Sequence, residues 1–195
     1  MADPRLPVRP EALLRLIWGR LAAGADMPTH PFHTPCLASA GPAGPDARTV
    51  VLRRVDESAR LIFCHTDLRS PKAAAIAGDP RIAWVFYDPL ERIQLRVRGR
   101  ASCHADDAVA EAAWAAAGSR TRSNYAAAAP PGSVVPPGAA SAPLAAQESE
   151  AARTNFLVLA CRVEHLDWLV LEEPVHRRVR FDWDGQGWRH AWIVP

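Results

Sequence analysis

Ala47-Arg48-Thr49-Val50-Val51-Leu52-Arg53-Arg54-Val55-Asp56 is the stretch on which the reading turns. Its alternation and its β-branched residues predict a strand over Arg48–Val55, with a basic residue at each end of the apolar segment. Downstream, Phe63-Cys64-His65-Thr66-Asp67-Leu68-Arg69-Ser70-Pro71-Lys72 reads as a strand that runs into a Ser-x-Lys at a helix start. Backbone N–H groups at a helix start bind anions, and a hydroxyl and an ammonium there add charge-assisted bonds. The two stretches together supply Arg48, Arg53 and Lys72 as cations and Thr66 and Ser70 as hydroxyls. That set of donors suits a phosphate and points to a phosphorylated cofactor.

Working outward, residues 10–23 have helical spacing at Leu13, Leu14, Ile17 and Leu21, and Pro10 fits a first turn. Residues 27–35 read as a connector. A strand is expected near Cys36–Ala40, then a Gly/Pro turn at 41–46, then the Arg48–Val55 strand and another over Arg60–His65. Ser70–Ala77 reads as a helix with Ser70 as N-cap and Pro71 in the first turn. Arg81–Tyr87 and Gln94–His104 read as strands around a turn at Asp88-Pro89, and Asp106–Ala117 as an Ala-rich helix stopped by Gly118. Residues 119–150, rich in Ala, Pro, Ser and Gly, read as an irregular segment, either a mobile surface loop or a functional lid. Strands return at Asn155–Glu164, Asp167–Leu171, Arg177–Asp182 and Trp188–Ile193, with an Asp184-Gly185 turn between the last two. This pattern predicts a mainly β (α+β) chain: a small closed or partly closed barrel with peripheral helices, one domain over residues 1–195. The absence of a G-x-G-x-x-G run disfavours a dinucleotide-binding α/β fold.

Composition narrows the function classes. A chain of 195 residues, 49% of them hydrophobic, can bury its own core. A net charge of +2 is too weak to suggest a nucleic-acid partner. No apolar run approaches the roughly 18 residues of a membrane span, and the N-terminus lacks the order of a signal peptide, so a cytoplasmic protein is expected. The four cysteines fall in strand-like segments without a C-x-x-C pair and read as buried thiols. The histidines lack ligand spacing, so no metal is expected.

The candidate binding residues follow from position. Arg48 and Arg53, five apart on one predicted strand, point to opposite faces, one toward a phosphate and the other toward a second ligand or a partner subunit. Gln94, Arg96 and Arg98 share a face, and the Gln94 amide can both donate to and accept from a ring edge. Arg120 and Arg122, in an extended loop, can bind a substrate carboxylate or phosphate. Trp168 is either the cover of an aromatic cofactor or a core residue.

Arg48 to Arg53, Phe63 to Lys72, Asp79-Pro80-Arg81, Gln94 to Gly99, Ser119-Arg120 and Arg177 to Phe181 resemble the pyridoxamine 5′-phosphate oxidase family of FMN-binding split barrels. The resemblance covers residues 30–195 and looks closer to the uncharacterised oxidase-like branch than to the biosynthetic enzyme. It implies an FMN-dependent oxidoreductase that works as a homodimer, with FMN at the subunit interface and a small, anionic substrate. It further implies that Arg48, Ser70 and Lys72 hold the FMN phosphate, while Thr49, Val50, Val51, Leu52, His65 and Thr66 line the flavin. Gln94 would hydrogen-bond the ring, and Trp168 and Arg180 would approach from the other chain. Arg53, at the end of the flavin-lining run, would contact substrate as well, together with Arg120 and Arg177, and Ser123 would stand for a substrate-contacting serine. Pro71 replaces a basic residue of the family pattern, and the Gln-Ser pair expected after Arg120 is absent. The cofactor half of the pattern is thus fuller than the substrate half. The alternative reading is a non-catalytic flavin-binding carrier, sensor or stress-related protein.

Overall fold

A computed structural model describes residues 9–42, 44–136 and 150–195. A nine-stranded sheet dominates them: β1 (Cys36–Gly41), β2 (Gly44–Thr49), β3 (Leu52–Asp56), β4 (Leu61–Asp67), β5 (Arg81–Asp88), β6 (Ile93–His104), β7 (Phe156–Val170), β8 (Arg177–Trp183) and β9 (Trp188–Ile193). The helices are α1 (Pro10–Asp26), α2 (Pro71–Gly78), α3 (Ala108–Ala116), α4 (Ser119–Ser123) and α5 (Glu150–Asn155). Every ladder is antiparallel, and the main path runs β2-β1-β5-β6-β7-β4-β3, with β8 and then β9 added on β7. The expected split barrel with peripheral helices is the observed architecture.

The two ends of that path, β2 and β3, are consecutive in sequence, with only Val50 and Val51 between them. The predicted single strand over Arg48–Val55 is therefore two strands belonging to opposite ends of the sheet. Val50 donates its N–H to Pro35 O at 3.0 Å and so leaves the path of both ladders. This two-residue crossing marks where the barrel is split. The 41–46 turn is likewise shorter than expected, because Gly44, Pro45 and Asp46 already pair with β1. The two strands predicted over Asn155–Glu164 and Asp167–Leu171 are one, β7. Its irregularity is a bulge: β6 pairs Arg98 with His165 and Gly99 with Val163, so Glu164 is the extra residue. A Cβ at Gly99 would stand 2.0 Å from Arg162 O, so only glycine lets the strands approach there.

The inner face of the sheet carries the main core. Leu37, Ile62, Cys64, Trp84, Phe86, Leu95, Val97, Leu157, Leu159 and Trp168 pack there with Leu13, Ile17, Trp18 and Leu21 of α1. Alternation sets this: along β5 and β6, buried Ile82, Trp84, Phe86, Leu95 and Val97 interleave with Val85, Tyr87, Arg96 and Arg98 on the outer face. A second cluster forms where the outer face of β4 and β7 is covered by α3 and the residues after it. It joins Phe63, Phe156, Val158 and Ala160 to Ala110 and Tyr125. Asp107 caps α3, accepting from Val109 N and Ala110 N at 3.0 Å each, and its other oxygen holds His104 Nδ1 at 2.6 Å.

The 119–150 segment is not irregular at its start, because Ser119–Ser123 form α4. The described residues that follow are tied down: Arg69 donates to Ala127 O and Ala128 O at 2.9 and 3.2 Å, and Asn155 Nδ2 donates to Tyr125 O at 2.9 Å. Residues 137–149, where the loop-or-lid question chiefly falls, lie outside the described residues. All four cysteines are free thiols. Cys64 and Cys161 are buried, and burial pushes each thiol up to about 12. Cys103 is exposed and Cys36 half-buried, so the expectation of four buried thiols holds for two.

Candidate functional site

The sequence places a hydroxyl, a proline and a lysine at the start of α2, and the fold brings an arginine from β2 to meet them. Ser70 is the N-cap, its Oγ accepting from Ala73 N at 3.4 Å, and Pro71 occupies the first turn where no N–H is needed. Lys72 Nζ donates to Thr66 Oγ1 at 2.9 Å, and Thr66 Oγ1 lies 3.3 Å from Ser70 Oγ. Arg48 reaches in from β2, donating to Ser39 Oγ at 2.9 Å and to Leu37 O at 3.3 Å, and it pairs with Asp46. The cradle thus spans the split between β2 and the end of β4, with α2 closing it. Both cations are more than half covered, and they feel each other. Burial first, then the Arg48 guanidinium, lowers the Lys72 ammonium from its ordinary value, with Asp67 and Asp46 only partly opposing. Two crowded cations and two inward hydroxyls form a site that gains by receiving an anion.

Arg53 is placed differently from the prediction. β3 pairs Leu52 with Cys64 but Arg54 with Phe63, so Arg53 is the extra residue of a bulge. This lets Arg53 and Arg54, neighbours in sequence, border the same cavity, which alternation along a regular strand would forbid. The proposed division into opposite faces of one strand therefore does not hold. Arg48 serves the cradle from β2, Arg53 a cavity beside β3, and the stretch between them spans at most about 18 Å. Thr49 is exposed, Val50 and Val51 half-buried, and Leu52 fully buried, so Leu52 has only its backbone to offer a ligand.

The cavity has a volume of about 390 Å³ and lies between the outer face of β3–β4 and α3. His65 lines it, its ring edge-on to Phe156 at a centroid distance of 4.8 Å, and its Nδ1 is buried without a hydrogen-bond partner. Burial, and then Arg53, push its imidazole down to about 4, so it is neutral at physiological pH. The sign of the linkage follows: the unfolded chain takes up this proton at higher pH than the folded one, so stability falls on acidification. We expect a loss of about 1–2 kcal/mol between pH 6.5 and 4 that His65→Gln removes, read from denaturation midpoints across that window. An unchanged slope in the variant would assign the loss to other groups.

The remaining predicted residues do not converge on the cradle within this chain. Gln94 lies half-buried on the outer face of β6, between Tyr87 of β5 and Leu169 of β7. Arg180 stands on the same outer face, bonded to Asp182 at 2.6 Å. Trp168 sits on the inner face, fully buried between the β6 and β8 positions of Leu95 and Val179. A side chain with no exposed surface cannot cover a ring held by another subunit, so Trp168 is a core residue and leaves the set of cofactor contacts. Arg177 is held by Glu172 at 2.8 and 3.0 Å. Arg120 is exposed on α4, and Ser123 Oγ donates to its carbonyl at 3.0 Å. From that segment Gly118 and Thr121 line the cavity rather than Arg120 or Ser123. Sequence reasoning missed Ser39 and Asp46 around Arg48, and Arg54 and the α3 alanines around the cavity. No local signal marks them, since each joins its site through strand pairing or helix packing.

Comparison with known proteins agrees with this geometry. Residues 20–105 match the family model described as pyridoxamine 5′-phosphate oxidase, FMN-binding domain. This segment contains Arg48, Arg53, His65, Thr66, Ser70, Lys72 and Gln94. A curated relative, a pyridoxine/pyridoxamine 5′-phosphate oxidase of Kineococcus radiotolerans, is 46% identical over 65 residues, a stretch that spans 33% of this chain and 28% of the relative. A pyridoxamine 5′-phosphate oxidase-related, FMN-binding protein from Nostoc punctiforme superposes with a TM-score of 0.73 at 22% identity, over 97% of this chain and 100% of its own. PhzG from Burkholderia lata, solved with tetrahydrophenazine-1-carboxylic acid, superposes with a TM-score of 0.74 at 19% identity, over 100% of this chain and 98% of its own. The family model thus covers the segment that builds the cradle, and the split-barrel fold is shared with both solved structures over nearly the whole chain.

Proposed function

We propose that this protein is an FMN-dependent oxidoreductase that acts as a homodimer on a small anionic substrate. The observation that carries the reading is the cradle in which Lys72, Thr66 and Ser70 are joined through Thr66 Oγ1, with Arg48 near enough to lower the Lys72 ammonium by repulsion. A phosphate dianion relieves that repulsion, and the residues present therefore fit the FMN phosphate. Thr49, Val50 and Val51, with the Leu52 backbone, would run along the flavin, and His65 and Thr66 would border it. When bound, FMN supplies two-electron redox chemistry at its ring, while the chain binds, orients and shields. No side chain is assigned an essential acid or base role.

The dimer is proposed from the outer face of β5–β6. Val85 and Tyr87 are 37% and 46% exposed there, beside Gln94 and in the same sheet as Arg180. A second copy covering this face would bury those apolar groups and carry Gln94 and Arg180 toward the partner's cofactor. Four free cysteines suit a reducing compartment, and the cytoplasm is the proposed location. One observation favours the second reading, a flavin-binding carrier or sensor without turnover: Arg177, a substrate contact in the first reading, is already held bidentately by Glu172.

The purified protein is expected to be yellow and to release FMN identifiable by mass. A colourless protein that ignores added FMN would overturn both readings. With FMN bound, anaerobic mixing with pyridoxamine 5′-phosphate and with other small anionic reductants separates them: bleaching of the flavin by any supports the oxidoreductase, and no bleaching supports the carrier.

A further inference from the structure

Ser102, His104 and Asp107 stand in one line of hydrogen bonds that the flavin reading does not use. Ser102 and His104, two apart near the end of β6, share the outer face of the sheet, and Asp107 caps α3 just after that strand. Ser102 Oγ lies 2.8 Å from His104 Nε2, and His104 Nδ1 lies 2.6 Å from Asp107 Oδ2. The carboxylate is anchored independently, because its other oxygen accepts from Val109 N and Ala110 N at 3.0 Å each. The Ala110 N–H first, then His104, hold the Asp107 carboxyl below its ordinary value. A carboxylate only accepts, so in the neutral imidazole Nδ1 carries the proton and Nε2 is left as the acceptor. The Ser102 hydroxyl therefore donates to Nε2, at a shorter distance than its second acceptor, Ala160 O at 3.3 Å. A hydroxyl on an imidazole that a carboxylate orients is an activated nucleophile, recognised by geometry rather than by order in the chain.

Ser102 and His104 open into a separate cavity of about 410 Å³ on the outer face of β4, β6 and β7. It lies at the opposite end of β6 from Gln94, beyond Arg100, the last residue of β6 that pairs with β5. Phe63 supplies an apolar wall, and Arg54, Arg100 and Arg162 border the space against one carboxylate, that of Glu164. Arg100 and Arg162 stand directly opposite each other in the β6–β7 ladder, a like-charge pair that costs stability until an anion joins it. Ser102 is exposed and His104 partly so, which leaves both within reach of a substrate.

We propose that Ser102 and His104 hydrolyse a small carboxylic ester that carries a separate negative charge, with Asp107 as the positioning residue and Arg100 and Arg162 as the anion clamp. Ser102 Oγ adds to the ester carbonyl as its proton passes to His104 Nε2, and the oxyanion forms among guanidiniums that favour it. The bond from the carbonyl carbon to the alcohol oxygen then breaks, and the alcohol leaves with the proton from Nε2. Water attacks the acyl-serine while giving a proton to Nε2; the acid departs, and Oγ takes that proton back. No electrons change hands, so this reaction goes beyond the flavin reading and does not depend on it.

The test uses the purified full chain and two acetate esters, 4-acetoxybenzenesulfonate and its uncharged sulfonamide. Each rate is taken relative to buffer holding an equal concentration of imidazole. We expect turnover of the sulfonate with kcat/KM at least about tenfold above that of the sulfonamide, and a smaller preference in Arg100→Gln. Early quenching should show an acetyl group on the peptide that carries Ser102, and phenylmethylsulfonyl fluoride should add to the same residue and stop the reaction. Ser102→Ala is expected to lose about a hundredfold or more in rate with an unchanged thermal melt. Asp107→Asn keeps a side chain that caps α3 well, so it should hold the melt, lower kcat about a hundredfold or more and change KM little. A line of bonds that served only to fix α3 would show no such split. Turnover no faster than that of imidazole, turnover that survives Ser102→Ala, or acetyl groups found only on other residues would overturn the proposal. So would equal rates for the two esters, since the anion clamp is part of it.

Discussion

Trp168→Ala is expected to lower the stability of the folded protein by about 3–5 kcal/mol and leave the FMN affinity of the remaining folded protein unchanged. The indole is fully buried on the inner face of β7, flanked by Leu95 and Val179 and capped by the Arg20 guanidinium 5.9 Å from its ring centroid. Truncation removes one of the largest side chains of the core and leaves a void that β-strands on both sides hold open. For a chain of this length the melting temperature should fall by about 6–20 °C. Thermal melts with and without saturating FMN check the assignment. A core residue shifts both melts equally, whereas a residue that covers the flavin reduces the stabilisation that FMN adds. A normal melt with weakened FMN binding would return Trp168 to the cofactor site.

Trp168 also shows what a single sequence can and cannot convey. Leu166-Asp167-Trp168-Leu169-Val170 alternates, and the alternation places Trp168 with Leu166 and Val170 on the buried side. The strand was legible, and so was the face once alternation was applied to it; a tryptophan near a suspected cofactor invited the other reading. Ser70 as N-cap was legible because capping is a local matter of one side chain and the next three N–H groups, whereas the α3 cap lies at Asp107, one residue inside the predicted helix. The break after Thr49 was not. Arg-Thr-Val-Val-Leu-Arg has the composition of one continuous strand, and nothing within it says that its halves pair with β1 and β4 at opposite ends of a sheet. The bulge at Arg53 was hidden for the same reason: register is a relation between Leu52 and Cys64, set by distant packing, and no glycine flags it. The consequence was functional, since the bulge aims Arg53 into the cavity. The Ala-rich helix α3 was recognised as a helix, but which stripe of alanines it would turn toward Phe63 and Val158 depends on how it docks.

Lys72→Met should weaken FMN about 10- to 150-fold and leave the FMN-free protein as stable as before, or more so. The first part follows from a charged hydrogen bond to a partly buried phosphate, worth about 1.5–3 kcal/mol. The second follows from the state of the lysine without ligand. Its ammonium is held below its ordinary value by burial and by Arg48, so the unfolded chain binds that proton more strongly than the folded one. Stability of the FMN-free protein therefore carries an unfavourable contribution from Lys72. It is present in full below the folded-state value and is recovered as pH rises toward the ordinary lysine range. Methionine keeps the stem and discards the charge, so the variant loses both the penalty and its pH dependence. Asp107→Ala is the control, because loss of the α3 cap, away from the cradle, should cost about 1 kcal/mol with or without ligand. Urea midpoints of both variants, measured with and without FMN at neutral and alkaline pH, decide the matter. Lys72→Met that binds FMN normally and unfolds more easily would mean that the Nζ–Thr66 bond serves only to fix the start of α2, and that the anion site lies elsewhere. The expected pattern, a lysine that costs the empty protein stability and repays it only when a phosphate arrives, is what distinguishes a binding site from a well-packed surface.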